Sequence, residues 1–134
     1  MTPAQLELVR DSYATLPEGG AAMAADFYRN LFELAPQTRA LFATEPDVMA
    51  IKFSSELAAI VEAITSYATF APRVRELAVR HVTYGVQPQH YRAVGQALLR
   101  ALATHIGEGW DDDLEAAWRR AYNLVSQLMI EAAR

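Results

Sequence analysis

Six prolines cut this chain into segments, and between them the apolar residues recur with the period of a helix rather than a strand. Proline fixes φ and lacks an amide hydrogen, so it suits the first turn of a helix and disrupts one further in. Thr2-Pro3 opens a first helix with Leu6, Val9 and Tyr13 on one side, closed by Pro17-Glu18-Gly19-Gly20. A second runs through Met23, Phe27, Leu31 and Leu34, and Pro36 starts a short helical turn ending near Leu41-Phe42. Thr44-Glu45-Pro46-Asp47 begins a long helix whose stripe is Met49, Phe53, Leu57, Ile60, Val61 and Ile64, with Glu56 and Glu62 expected to turn outward. Phe70-Ala71-Pro72 is expected to break it and start the helix that ends at His81. Pro88 opens the next, which stops at Gly107-Glu108-Gly109. Trp110-Asp111-Asp112-Asp113 supplies a cap and negative charge for a last helix that buries Trp118, Ala121, Tyr122, Val125, Met129 and Ala132. No stretch alternates as a strand does. The expected fold is all-α, one domain over residues 1–134, with about seven helices of uneven length. The short piece from Pro36 to Phe42 argues against a simple four-helix bundle.

Charge and composition exclude several functions. Twelve lysines and arginines against 16 acidic residues give a net charge of −4, with the basic residues scattered, so a nucleic-acid binder is not indicated. There is no cysteine, which rules out a disulfide scaffold, an iron–sulfur cluster and zinc–thiolate sites and is compatible with a reducing cytoplasm. The start Met1-Thr2-Pro3-Ala4-Gln5 lacks the basic and apolar runs of a signal peptide, and no apolar run is long enough for a membrane span. A cytoplasmic protein, monomeric or homodimeric, is expected.

His81 is the residue that asks for a function. Val74, Leu77, Ala78 and His81 stand at i, i+3, i+4 and i+7, so the imidazole lies on the stripe facing the core. Such a histidine is satisfied either by a carbonyl or side chain of the core or by a metal-bearing cofactor. Beyond the corner, Tyr91, Val94, Leu98, Leu99 and Leu102 form a second apolar stripe. Two helices meeting over an inward imidazole can hold a flat apolar cofactor, although spacing alone does not show one.

The run Arg80 to Leu99, with His81, Gly85-Val86, Pro88, His90-Tyr91 and Val94-Gly95, resembles the proximal half of bacterial single-domain globins and of the globin domains of flavohaemoglobins. Phe27-Tyr28, Leu31-Phe32, Pro36, Leu41-Phe42, Trp118 and Ala121-Tyr122 match in the same order, so the resemblance spans nearly the whole chain. It implies a three-over-three globin fold around haem b, with His81 as the proximal iron ligand. It implies further that Tyr28 donates to bound dioxygen, that Phe42 stacks on haem, and that Met49, with Phe53 one turn on, stands where many relatives carry a distal glutamine or histidine. A thioether donates no hydrogen bond, so Tyr28 becomes the one strong distal donor, and Met49 could itself ligate iron. Leu57, Leu77, Val86, Val94, Leu98 and Tyr122 are expected to contact haem, with Lys52 and Arg80 reaching its propionates. Tyr91 matches a tyrosine that in flavohaemoglobins bonds toward the ligating histidine and a glutamate, but Ala133 stands where that glutamate would be. His90 is expected to be solvated, and His105 to favour the end of its helix.

The resemblance implies reversible binding of dioxygen and of other diatomic gases such as CO and NO. The alternatives are nitric oxide dioxygenation, a gas sensor working through a partner, and a helical module without a cofactor. The 134 residues hold no Gly-rich dinucleotide fingerprint, so turnover is expected to draw electrons from a separate reductase.

Overall fold

Helices begin here where a side chain or a proline deals with the first amide hydrogens. The computed structural model describes residues 1–42, 45–83 and 85–133. In α1, Pro3–Ala14, the Thr2 hydroxyl accepts from the Gln5 amide while the Gln5 side chain accepts from the Thr2 amide. In α6, Asp112–Ala132, the Asp111 carboxylate accepts from the Leu114 amide at 2.8 Å, and Asp112, Asp113 and Glu115 occupy the first turn. The cap of α6 and the start of α1 at Thr2-Pro3 fall where the sequence placed them.

Between these lie α2, Ala21–Leu34; a six-residue 3₁₀ helix, Pro36–Leu41; α3, Pro46–Ala63; α4, Tyr67–Thr83; and α5, His90–Ile106. With the 3₁₀ turns Pro17–Gly20 and Gly107–Gly109 they account for the regular structure, and no strand occurs among the described residues. No described helix is long and apolar enough to cross a membrane. The helix α2 packs along α5 and against α3, and α6 packs along α4 and against α1. Val9, Met23, Phe27, Leu31, Phe70, Val74, Leu102 and Trp118 are essentially removed from water where these faces meet. Each such side chain contributes roughly 1.5–3 kcal/mol of transfer free energy.

Three helix boundaries depart from the sequence reading. The α3 helix ends at Ala63 and α4 begins at Tyr67, so Pro72 neither breaks nor starts a helix but sits inside α4. The Thr69 and Phe70 amides bond the Ser66 carbonyl, which starts the helix upstream. Pro72 then removes the bond to the carbonyl of Ala68, a residue that is exposed to solvent. Second, α4 continues past His81 to Thr83. Third, Pro88 stands two residues before α5, the Tyr91 amide bonding its carbonyl, rather than opening the helix itself. Thr44, in the expected start of α3, and Tyr84, in the corner after His81, lie outside the described residues.

Between α1 and α2 the chain reverses through Glu18, Gly19 and Gly20, all at positive φ. A side chain on Gly20 would bring its Cβ to 2.8 Å from the Tyr13 hydroxyl. That hydroxyl faces the Gly19 carbonyl at 2.7 Å and the Ser54 carbonyl at 3.1 Å, joining α1, the turn and α3. Next to Tyr13 on α1, the Ser12 hydroxyl accepts from the Trp118 indole at 2.9 Å.

Candidate functional site

A cavity of about 500 Å³ opens among α2, α3, α4, α5 and α6, within the range of cofactor and ligand sites. All the residues that the resemblance assigned to the cofactor or the bound gas line it. The helices α2 and α3 and the corner between them supply Tyr28, Phe42, Met49, Lys52, Phe53 and Leu57. Leu77, Arg80, His81, Val86, Tyr91, Val94, Leu98 and Tyr122 line it from α4, α5, α6 and the corner after α4.

His81 is half-buried, and its Nδ1 lies 2.9 Å from the Leu77 carbonyl. A carbonyl can only accept, so Nδ1 carries the proton and Nε2 keeps its lone pair. Burial holds the imidazole below its ordinary pKa; the Leu77 bond opposes this, the Arg80 charge adds to it and the Glu56 charge opposes it. A neutral histidine with its free nitrogen lining an apolar cavity is a metal ligand in the right protonation state. It is also a solitary one, because no cluster of three or more His, Asp or Glu able to hold a metal exists among the described residues. A metal held here must bring its remaining ligands with it, as a metallated macrocycle does.

Tyr28 is enclosed by rings. Phe27, Phe42 and Phe53 meet it edge-on at centroid distances of 4.9, 5.2 and 5.8 Å, and Phe53 stacks on Phe27 at 4.2 Å. Burial pushes its pKa up to about 12, so it stays a phenol and a donor. Among the described residues its hydroxyl makes no hydrogen bond, which leaves a donor available within an apolar cavity. Met49 is buried, lines the same cavity and offers only a weak acceptor.

The Tyr122 hydroxyl donates to the Tyr91 carbonyl at 2.5 Å. Burial, with the Tyr91 phenol acting in the same direction, lifts its pKa well above the ordinary range, and burial also raises that of Tyr91. The Tyr91 hydroxyl makes no hydrogen bond among the described residues. Ala133 is exposed at the end of α6, and Glu131 is exposed as well.

Two expectations are corrected. Glu56 does not turn outward: it is half-buried, lines the cavity and pairs with Arg80 at 2.7 Å and Arg73 at 3.3 Å. The signal was present, since Glu56 stands seven residues after Met49 and three after Phe53, on the same face. His90 is not simply solvated: it is half-buried, lines the cavity and accepts from the Gln87 amide at 2.9 Å. His105, at the end of α5, meets Asp26 of α2 at 2.5 Å, well outside the cavity.

The fold and site define an all-α protein with an apolar cavity lined by His81, whose Nδ1 alone is engaged, and by the phenol of Tyr28. The chain belongs to the globin family, whose model matches residues 25–129. It is 30% identical over 137 residues to a flavohemoprotein of Bordetella parapertussis, covering 100% of this chain and 34% of that protein. The chain therefore spans about a third of the length of the curated relatives it matches. Among solved structures it is similar to an engineered carbene transferase, provisionally a nitric oxide dioxygenase of Rhodothermus marinus, at 30% identity and a TM-score of 0.89, covering 99% of this chain and 93% of that one. A bacterial globin from Campylobacter jejuni, 23% identical with a TM-score of 0.85 and covering 98% of this chain and 96% of that one, shares the fold.

Proposed function

We propose that this chain holds haem b, with His81 Nε2 as the proximal iron ligand, and reversibly binds dioxygen and other diatomic gases such as CO and NO. The observation that carries this reading is the 2.9 Å contact of His81 Nδ1 with the Leu77 carbonyl, which leaves Nε2 unengaged on a side chain that lines the cavity. The residues present fit the group, with an apolar wall for the macrocycle, Phe42 for stacking, and Lys52 and Arg80 as cations for its propionates. When bound, haem supplies an iron with an open position for a gas. Tyr28 donates its O–H into that space and stabilises the electron density a bound gas draws. Met49 and Phe53 keep water and competing donors away, and the Leu77 carbonyl keeps the imidazole ring oriented.

An absorption spectrum of the purified protein, oxidised, reduced and under carbon monoxide, tests the reading. The expected result is a reduced five-coordinate haem that takes carbon monoxide. His81→Gly should lose normal coordination and recover it with added imidazole. A wild type that takes up no hemin, or a His81→Gly protein with unchanged coordination, overturns the proposal.

The similarity to flavohemoproteins and to the Rhodothermus marinus protein favours one alternative, nitric oxide dioxygenation with electrons from a reductase. Ala133, where the resemblance expects a glutamate, weighs against it. Sustained nitric oxide consumption with a flavin reductase and its nicotinamide donor distinguishes this reading, since a single discharge of the oxygenated form is common to both.

A further inference from the structure

Glu56 is the only acidic side chain among the residues lining the cavity, and it is the inner member of a cluster on two helices. Its carboxylate reaches from α3 to α4, Oε1 accepting from Arg80 Nη2 at 2.7 Å and Oε2 pairing with Arg73 Nη2 at 3.3 Å. Its side chain is 22% exposed, against 51% for Arg80 and 46% for Arg73. A half-buried carboxylate beside a cavity meant for an anionic ligand repels that ligand unless it is neutralised. Two guanidiniums neutralise this one, and Lys52, four residues before it on the same helix, leaves the rim net positive.

Arginine presents five donors in a planar fork. Glu56 occupies one terminal nitrogen of Arg80, and among the described residues the other donors have no partner. We propose that Glu56 is a positioning residue for the cofactor's carboxylates: anchored by Arg73, it holds Arg80 at the cavity rim with the free edge of its guanidinium ready for an incoming carboxylate. An unheld arginine at the surface would spend its interaction on ordering a long side chain, whereas a held one has already lost that freedom. This rests on the haem reading above, but the residue and its role are additional to it.

The test is the rate at which hemin, and separately hemin dimethyl ester, leaves the protein for an excess of a haem-scavenging apoprotein. With hemin, Glu56→Ala is expected to accelerate loss roughly five- to tenfold. Glu56→Gln, which keeps an acceptor for Arg80, should fall in between, and Arg73→Met should act in the same direction. With the ester, which has no carboxylates, all three should match wild type, and Glu56→Ala should add nothing in an Arg80→Met background. Equal acceleration with both porphyrins would make Glu56 a plain tie between α3 and α4 and overturn the proposal, as would unchanged hemin loss. Circular dichroism of the apoproteins separates misfolding from lost positioning, and Arg73→Met carries the test if Glu56→Ala does not fold. A wild type that binds neither porphyrin refutes the haem reading, whereas tight binding that ignores the carboxylates refutes only this one.

Discussion

Tyr122 and Gly95 meet so closely that a Cβ on the glycine would lie 2.7 Å from Tyr122 Cε2 and 3.0 Å from Cδ2. The ring cannot simply turn away, because its hydroxyl is fixed to the Tyr91 carbonyl one turn earlier on α5. Gly95→Ala is therefore expected to destabilise the protein by about 1–3 kcal/mol, the cost of overpacking a fixed contact. Tyr122→Phe alone should cost about 1 kcal/mol. The double variant should cost less than the two together, because the untethered ring can move aside. Urea denaturation of the four proteins measures all three values.

Tyr28→Phe removes an unengaged donor from among the aromatic rings of α2 and α3 without disturbing those neighbours. In the haem-loaded protein the release of dioxygen should quicken by roughly ten- to a hundredfold, equivalent to about 1.5–3 kcal/mol. Met49→Gln should slow release by adding a second donor, and Met49→Leu should leave it nearly unchanged. Stopped-flow displacement by carbon monoxide reads each rate.

Asp111→Ala should cost about 1 kcal/mol by uncapping α6, and Asp111→Asn should keep most of that energy, since its side-chain oxygen still accepts from the Leu114 amide. Denaturant midpoints at neutral pH check this.

Tyr13 predicts an alkaline limit. Burial raises its pKa from about 10 to about 12, so the unfolded chain gives up the proton first. Stability is thus complete below pH 10 and falls as pH rises from 10 to 12, by roughly 2–3 kcal/mol for this residue. Tyr13→Phe should be weaker at pH 8, through the bonds lost to the Gly19 and Ser54 carbonyls, yet flatter above pH 10. Denaturation at several pH values, with phenolate absorbance followed in parallel, distinguishes the two slopes.

Helix identity and the core stripes were legible because periodicity and caps are local properties: Thr2 with Gln5, and Asp111 with Leu114, act within one turn. Pro72 misled because its cost depends on whether Ala68, four residues earlier, is open to solvent, and that is a tertiary fact. The cavity lining was legible from the stripes together with the family resemblance, neither of which names a bond. The partners of Glu56 sit 17 and 24 residues away on another helix, so no spacing in the sequence announces them. The same holds for the Tyr122 contact with Gly95, which joins two helices across 27 positions.

The junction at Tyr13 sets a limit on how short a working version of this chain can be. The family match begins at residue 25, which invites trimming everything before it. Such a fragment would give up Val9, Tyr13 and Leu16 from the interior, strip the Trp118 indole of the Ser12 oxygen and open the middle of α3 at Ser54 to solvent. The first two dozen residues are thus a lid sealed from beneath, and a shortened clone should emerge from expression as a soft, aggregation-prone species.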